Sequence, residues 1–256
     1  MPDIAYTELG SGNPVILLHG FCESKEMWEF FQKNLSANYR VLCPDLPGFG
    51  NSPLPEGELS IDTVAFSLCR WMKMLNIVDP VVIGHSLGGY VTLGLADQLG
   101  KAIKGIGLFH STALADDEDK VGVRNKTITF LGKFGAEPFV NSFLPQLFPE
   151  NKQEEVKEII DKLLQMARTI ATETLIAYTE AMRDRTDRRD VLESFVGSKF
   201  FIAGEFDAAI PLENSRKHSS WVTHYLELKE TGHMGMFEKP NETLVYIDQF
   251  LRKTFD

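Results

Sequence analysis

Cysteine is scarce in this 256-residue chain: Cys22, Cys43 and Cys69 are the whole set, and no C-x-x-C spacing joins them. An odd, scattered trio implies neither a disulfide framework nor a zinc site. No H-E-x-x-H pattern or phosphate-cradling glycine loop is present either, so no metal and no organic cofactor are expected. Long apolar runs are also missing, and nothing approaches the length of a bilayer span. Met1-Pro2-Asp3-Ile4 lacks the basic and apolar regions of a secretory signal, so a cytoplasmic location without membrane insertion is expected. Positive charge is in deficit, with 26 Lys and Arg against 36 Asp and Glu, a formal net charge of −10. Nucleic acid is therefore not an expected partner, because phosphate contacts need clustered cations. The nearest cluster, Arg183, Arg185, Arg188 and Arg189, alternates with Asp184, Asp187 and Asp190 and reads as a solvated, self-neutralising face. Cys43 and Cys69 read as small core residues. Whether the chain is a monomer or a homodimer is not legible.

What the chain does contain is a regular alternation of strand-like and helix-like segments. Pro14 to Leu18 is a short continuous apolar run closed by His19-Gly20, as expected of a strand buried on both faces. Tyr39 to Cys43, Pro80 to Ile83, Ile103 to Phe109 and Lys199 to Ala203 repeat the theme, and His224 to Leu228 gives a last, more alternating strand. The segment 2–9 is expected to add an edge strand or hairpin. Helix-period stretches lie near 25–36, 61–75, 88–99, 212–219 and 241–253. Strands alternating with helices imply an α/β protein with a mainly parallel sheet wound by helices on both faces. From Thr112 to Asp190 the alternation stops and only helical patterning remains, as in Glu154 to Ala167 and Ile170 to Met182. A structureless loop of that length is improbable in a compact domain, so this block is expected to be a helical insertion.

The strongest motif is Gly84-His85-Ser86-Leu87-Gly88-Gly89, a G-x-S-x-G pattern between an apolar strand and a helix. A turn this tight strains the serine backbone and needs flanking positions almost free of side chains. It lifts the Ser86 hydroxyl above the sheet edge and aims the Leu87 amide, at a helix N-terminus, at a developing oxyanion. Such a hydroxyl needs a base. His19 precedes Ser86, and His85 is its immediate neighbour with a side chain aimed elsewhere. His218 and His224 lie in polar stretches and are expected at the surface. His110 closes a strand and is a candidate pocket residue. His233, in the glycine-flanked loop Thr231-Gly232-His233-Met234 after the last strand, is the expected base. The partner carboxylate should follow a strand and precede His233. Asp207, in Gly204-Glu205-Phe206-Asp207, meets that description and would hold the imidazole tautomer; Glu205 competes with it, and Asp116 or Asp117 are more distant candidates.

These motifs resemble those of the α/β-hydrolase superfamily, and the resemblance covers nearly the whole chain. The order serine, aspartate, histidine is the one found there. His19-Gly20-Phe21 is similar to the turn that lends an oxyanion-hole amide, which implies that role for Phe21 beside Leu87. Asp45-Leu46-Pro47-Gly48-Phe49-Gly50-Asn51-Ser52 is similar to a D-x-x-G-x-G-x-S segment with a structural role. The block 112–190 resembles the helical cap inserted between strands six and seven, within a single domain whose core is 1–111 and 191–256. A serine nucleophile followed by Leu87 sets the chain apart from dehalogenase and epoxide-hydrolase relatives, whose nucleophile is aspartate. The resemblance implies a serine hydrolase that cleaves a small to medium, largely apolar carboxylic ester or lactone through an acyl-enzyme. Two alternatives stay open: a small-molecule receptor with slow turnover, and a carbon–carbon bond hydrolase with Arg124 or Lys126 as its basic pocket residue. Cys22, Trp28, His110, Phe134, Phe139, Phe143 and Met234 are the candidates for lining the pocket.

Overall fold

The apolar runs become the strands of one seven-stranded sheet in the computed structural model, which describes residues 4–256. The strands are β1 Tyr6–Leu9, β2 Pro14–Leu18, β3 Arg40–Pro44, β4 Val81–His85, β5 Gly105–Phe109, β6 Ser198–Gly204 and β7 His224–Leu228. Their order is β1-β3-β2-β4-β5-β6-β7; every neighbouring pair is parallel except the edge pair β1 and β3. β4 and β5 are buried throughout, as parallel strands covered on both faces must be. The register sets Leu18 beside Gly84, Gly84 beside Leu108 and Phe109 beside Ile202, so the carboxyl ends of the central strands form one edge. In an open α/β sheet that edge is where ligands bind. Of the expected segment 2–9, residues 6–9 form β1, whereas residues 2 and 3 lie outside the described residues.

The helices are α1 Glu29–Leu35, α2 Ile61–Met74, α3 Leu87–Leu99, α4 Glu118–Phe134, α5 Ala136–Phe143, α6 Lys157–Ala167, α7 Thr172–Arg183, α8 Arg189–Ser194, α9 Leu212–Arg216, α10 Gly235–Glu238 and α11 Pro240–Phe255. Among the described residues no helix is long and apolar enough to cross a membrane. Local chemistry sets their starts. Ser60 and Thr63 form a reciprocal capping box at α2, and the Asp117 carboxylate accepts the Lys120 amide at α4 (2.9 Å). α3, which follows the serine, is buried along most of its length, consistent with its position against the sheet.

Helices α4 to α7 occupy the block that the sequence left without strands, and α8 begins at its end. Counted along the described residues, the insertion follows the fifth strand, because the amino-terminal edge contributes β1 alone. Its seat on the sheet domain is specific. The Tyr178 hydroxyl of α7 donates to the Pro47 carbonyl at 2.8 Å, and its ring lies 4.7 Å from that of Phe49. The Asp45 segment beneath is knitted by its own acid, whose Oδ1 accepts the Lys25 amide while Oδ2 accepts Lys25 Nζ and the Asn51 amide.

Two surface expectations are corrected. His218 is fully buried: its Nε2 accepts the Ala113 amide at 2.9 Å and Nδ1 donates to the Asn214 carbonyl at 3.0 Å, so the ring pins the first residues after β5 to α9. Burial pulls it down to about 4, keeping it neutral. His224 is half-buried at the start of β7. The arginine cluster is self-neutralising but only partly solvated. Arg183 pairs with Asp184 and Arg189 with Asp187, whereas Arg185 and Arg188 are buried against Asp116 and Asp62.

Candidate active site

Ser86 sits between β4 and α3 with φ 49°, in the left-handed region that a residue with a side chain avoids. The turn closes only because its flanks are glycine. A Cβ on Gly84 would lie 2.1 Å from the Gly88 carbonyl oxygen, and one on Gly88 would lie 2.6 Å from that of His19. The Ser86 amide donates to Phe109 (3.0 Å) and its carbonyl accepts from Ser111 Oγ (2.7 Å), so both sides of the strained residue are tied to β5 and its following loop. Among the described residues, no protein acceptor takes the amide of Leu87 or of Phe21. Leu87 opens α3 directly after the serine, and Phe21 lies in the turn after β2.

His233 is buried, with its amide on the Leu147 carbonyl (2.8 Å) and Nδ1 2.8 Å from Asp207 Oδ2. Its loop is braced by Glu238, whose carboxylate accepts the amides of Gly232 and Met234. Asp207 takes four N–H groups in all. Oδ1 accepts the Ala209 and Ile210 amides at 2.9 and 2.8 Å, while Oδ2 accepts His233 and, at 3.1 Å, His110 Nδ1. Burial alone would push this carboxyl up, but His233 and His110 outweigh it and hold it far below the usual carboxylate range. It is therefore an ionised acceptor. His110 Nε2 accepts the Gly235 amide at 3.3 Å, which assigns its proton to Nδ1. Burial pulls His110 down to about 4 despite the neighbouring Asp207, so the ring is neutral and serves as a donor to the carboxylate. The His233 Nδ1 contact with the same carboxylate likewise places a proton on that nitrogen.

A second buried set lies beneath this one. His85 Nδ1 is 3.0 Å from Glu23 Oε2, and its Nε2 is 3.0 Å from the His233 carbonyl oxygen. Glu23 Oε2 also accepts the Gly20 amide at 2.5 Å. Both ring nitrogens face acceptors, so the ring carries a proton on each and is an imidazolium beside the Glu23 carboxylate. Burial opposes charge on either partner, yet each more than offsets it for the other: His85 is raised and Glu23 lowered. The result is a buried ion pair joining the Gly20-Phe21 turn to the backbone of His233.

Ser86, His233 and Phe21 face one cavity of about 380 Å³. Its wall is largely apolar, from Tyr90, Val123, Phe139, Phe143, Leu147, Met182 and Ala208 to Ile210, with Thr127 and Gln146 between. Lys120 and Arg124 are its cationic members, and no carboxylate residue is among those lining it. Of the pocket candidates, Phe139 and Phe143 line the cavity, stacked with centroids 5.2 Å apart. Cys22, Trp28, His110 and Met234 are fully buried and Phe134 is exposed on α4, and none of the five lines the cavity. Lys126 likewise lies outside. Glu205 is turned to Lys229 and the Glu230 amide, and Asp116 to Arg124 and Arg185, so neither acid reaches His233. His110, Asp207 and His233 also present nitrogen and oxygen atoms within 4.8 Å of one another. Both Nδ1 atoms carry protons aimed at Asp207, and its oxygens are already taken by four donors, so the set does not fit a metal ion. Glu23 was not singled out in the sequence; an acid directly after the Gly20-Phe21-Cys22 turn was its one signal.

Comparison with known proteins places this geometry in context. Residues 13–240 match the family model described as alpha/beta hydrolase fold. The dihydrolipoyllysine-residue acetyltransferase component of an acetoin cleaving system from Pseudomonas putida is 27% identical over 257 residues, covering 98% of this chain and 67% of that protein. A 2-hydroxy-6-oxo-6-(2'-aminophenyl)hexa-2,4-dienoic acid hydrolase from Metapseudomonas resinovorans is 26% identical over 267 residues, covering 95% and 87%. Other curated relatives match over 28–35% of their own length. Among solved structures, a thermophilic esterase from Thermogutta terrifontis with malate bound superposes with a TM-score of 0.92 at 27% identity, covering 98% of this chain and 93% of that one.

Proposed function

The chain belongs to the α/β-hydrolase fold family, and we propose that this hydrolase is a serine esterase with Ser86 as nucleophile, His233 as base and Asp207 as the acid that orients it. The observation that carries the reading is the 2.8 Å contact of His233 Nδ1 with an ionised, four-donor Asp207, in a ring that opens on the same cavity as Ser86. In this reading Ser86 Oγ attacks the acyl carbonyl while His233 Nε2 takes its proton. The carbonyl electrons move onto oxygen, and the amides of Phe21 and Leu87 donate hydrogen bonds to the resulting oxyanion. Collapse of the tetrahedral adduct expels the alcohol, protonated by His233, and leaves an acyl-serine that water clears by the same steps. Losing the serine or the histidine is expected to cost about 10⁶ in kcat, and losing one oxyanion donor about 10²–10³. The helices 112–190 then act as the cap over the cavity.

The test is hydrolysis of p-nitrophenyl esters, acetate through decanoate, by wild type and Ser86→Ala. Activity confined to wild type supports the reading, and equal activity in both proteins refutes it. A wild type that binds esters tightly without turnover would instead favour a receptor. A second reading, cleavage of a carbon–carbon bond in a vinylogous diketone acid, is favoured by the Metapseudomonas relative and by Arg124 and Lys120 on the cavity wall. Turnover of such an acid in preference to esters would select it.

A further inference from the structure

Helix α4 carries an apolar stripe that the core does not use. Leu131 is its one buried residue, whereas Val123, Phe130 and Phe134 stand exposed at 57%, 38% and 52%. With Thr127 they fall at i, i+4, i+7 and i+11, on one side of the helix. An exposed apolar stripe of this kind calls for an occupant. A groove of about 370 Å³ runs along its Val123-to-Phe130 part, with Phe130, Lys126 and Ser142 as the residues it does not share with the Ser86 cavity. Its remaining walls are Val123, Thr127, Phe139, Phe143 and Gln146, and the same five residues line the Ser86 cavity. The cavity and groove therefore share a lip, formed by α4 on one side and the stacked Phe139–Phe143 pair of α5 on the other.

We infer that the groove between α4 and α5 is an outer subsite for the apolar chain of the ester substrate, which enters the cavity at Ser86 and leaves it over the Phe139–Phe143 lip. The inference rests on the serine-esterase reading and narrows it to esters with an alkyl chain longer than the cavity alone accepts. The occupant follows from continuity: a surface patch for another protein has no reason to share five wall residues with the catalytic cavity. A chain lying there removes its own methylenes and the faces of Phe130, Val123 and Phe143 from water. Full burial of one methylene is worth about a four-fold gain, and half-burial in an open groove about two-fold.

The experiment measures kcat/KM along two homologous series, p-nitrophenyl esters from acetate to decanoate and alkyl acetates from methyl to decyl, for wild type, Phe130→Asp and Phe130→Leu. Phe130 lines the groove but not the cavity. In wild type one series should climb by about two- to four-fold per methylene up to its longest members. That series identifies whether the acyl or the alcohol part carries the chain. Phe130→Asp should lower the decyl-to-butyl ratio at least ten-fold, and Phe130→Leu should restore most of it. An optimum at two to four carbons, or ratios unchanged in Phe130→Asp, would overturn the subsite. A dimer that Phe130→Asp dissociates would overturn it as well, by assigning the stripe to a second copy. Failure of the esterase reading is read separately, by titrating decanoate into Ser86→Ala. Binding there that weakens ten-fold in the added Phe130→Asp background supports the groove even without turnover, and no difference between the two removes it.

Discussion

Replacing Glu23 by Gln tests the buried pair beneath Ser86 and His233. A single oxygen, Oε2, accepts both the Gly20 amide and the His85 Nδ1 proton. An amide cannot serve both neighbours and the charge. If its oxygen takes that place, His85 either keeps two protons without a counter-ion or loses one and turns a lone pair toward the His233 carbonyl. If its nitrogen takes it, the Gly20 donor is orphaned. An unsatisfied buried group costs about 1–3 kcal/mol and an uncompensated buried charge about 3–5. The expected loss is about 3 kcal/mol, or a fall of about 6–12 °C in Tm for a chain of this size. The pH dependence has a definite sign. Glu23 is lowered from its ordinary 4.5, so its contribution is complete above that value and lost as pH falls through the folded value. His85 is raised from its ordinary 6.5, so its contribution is complete below 6.5 and lost as pH rises through the folded value. The gap between wild type and Glu23→Gln should therefore be widest between pH 4.5 and 6.5 and narrow at higher pH. Calorimetric unfolding of both proteins at pH 5.5, 7 and 8.5 reads it. A gap below about 1 kcal/mol, or one that widens as pH rises, would refute the ion pair.

Asp207→Asn should lower kcat for esters by about 10⁴ while leaving the fold intact, since the amide favours the wrong imidazole tautomer; a loss under ten-fold by steady-state kinetics would remove Asp207 from its role. Tyr178→Phe strands the Pro47 carbonyl, so chemical unfolding should show a loss of about 1–2 kcal/mol, and an unchanged midpoint would mean that the hydroxyl does not help seat the helical insertion. His218→Phe removes the acceptor of the Ala113 amide, and thermal melting should report a cost of about 1–3 kcal/mol; a neutral outcome would mean that water replaces the ring.

The sheet was legible in the sequence because parallel strands buried on both faces must be apolar without interruption, and Pro14 to Leu18, Val81 to Ile83 and Phe200 to Ala203 are. The turn at Ser86 was legible because only glycine fits at 84 and 88. The insertion was legible as helical, and Glu154 to Ala167 and Ile170 to Met182 fall close to α6 and α7; α4 was not, because its exposed stripe of Val123, Phe130 and Phe134 and its single buried residue, Leu131, are separate, so no one core-facing apolar face marks it. Buried polar residues were the hardest to place. His218, Arg185 and Arg188 sit in polar stretches, and their burial depends on partners far along the chain, Ala113, Asp116 and Asp62. Glu23 and His85 are 62 residues apart. Their pairing follows from the alignment of β2 and β4 at the sheet edge, which no local pattern encodes.

The identity of the nucleophile rests on one residue, and covalent labelling reads that residue without any choice of substrate. Wild type and Ser86→Ala are treated with an alkyl fluorophosphonate, digested and mapped by peptide mass. One phosphonyl group on the peptide holding Ser86, absent from Ser86→Ala and slowed by Asp207→Asn, is the expected result. Labelling at another residue, or equal labelling of wild type and Ser86→Ala, would contradict a serine hydrolase built on Ser86.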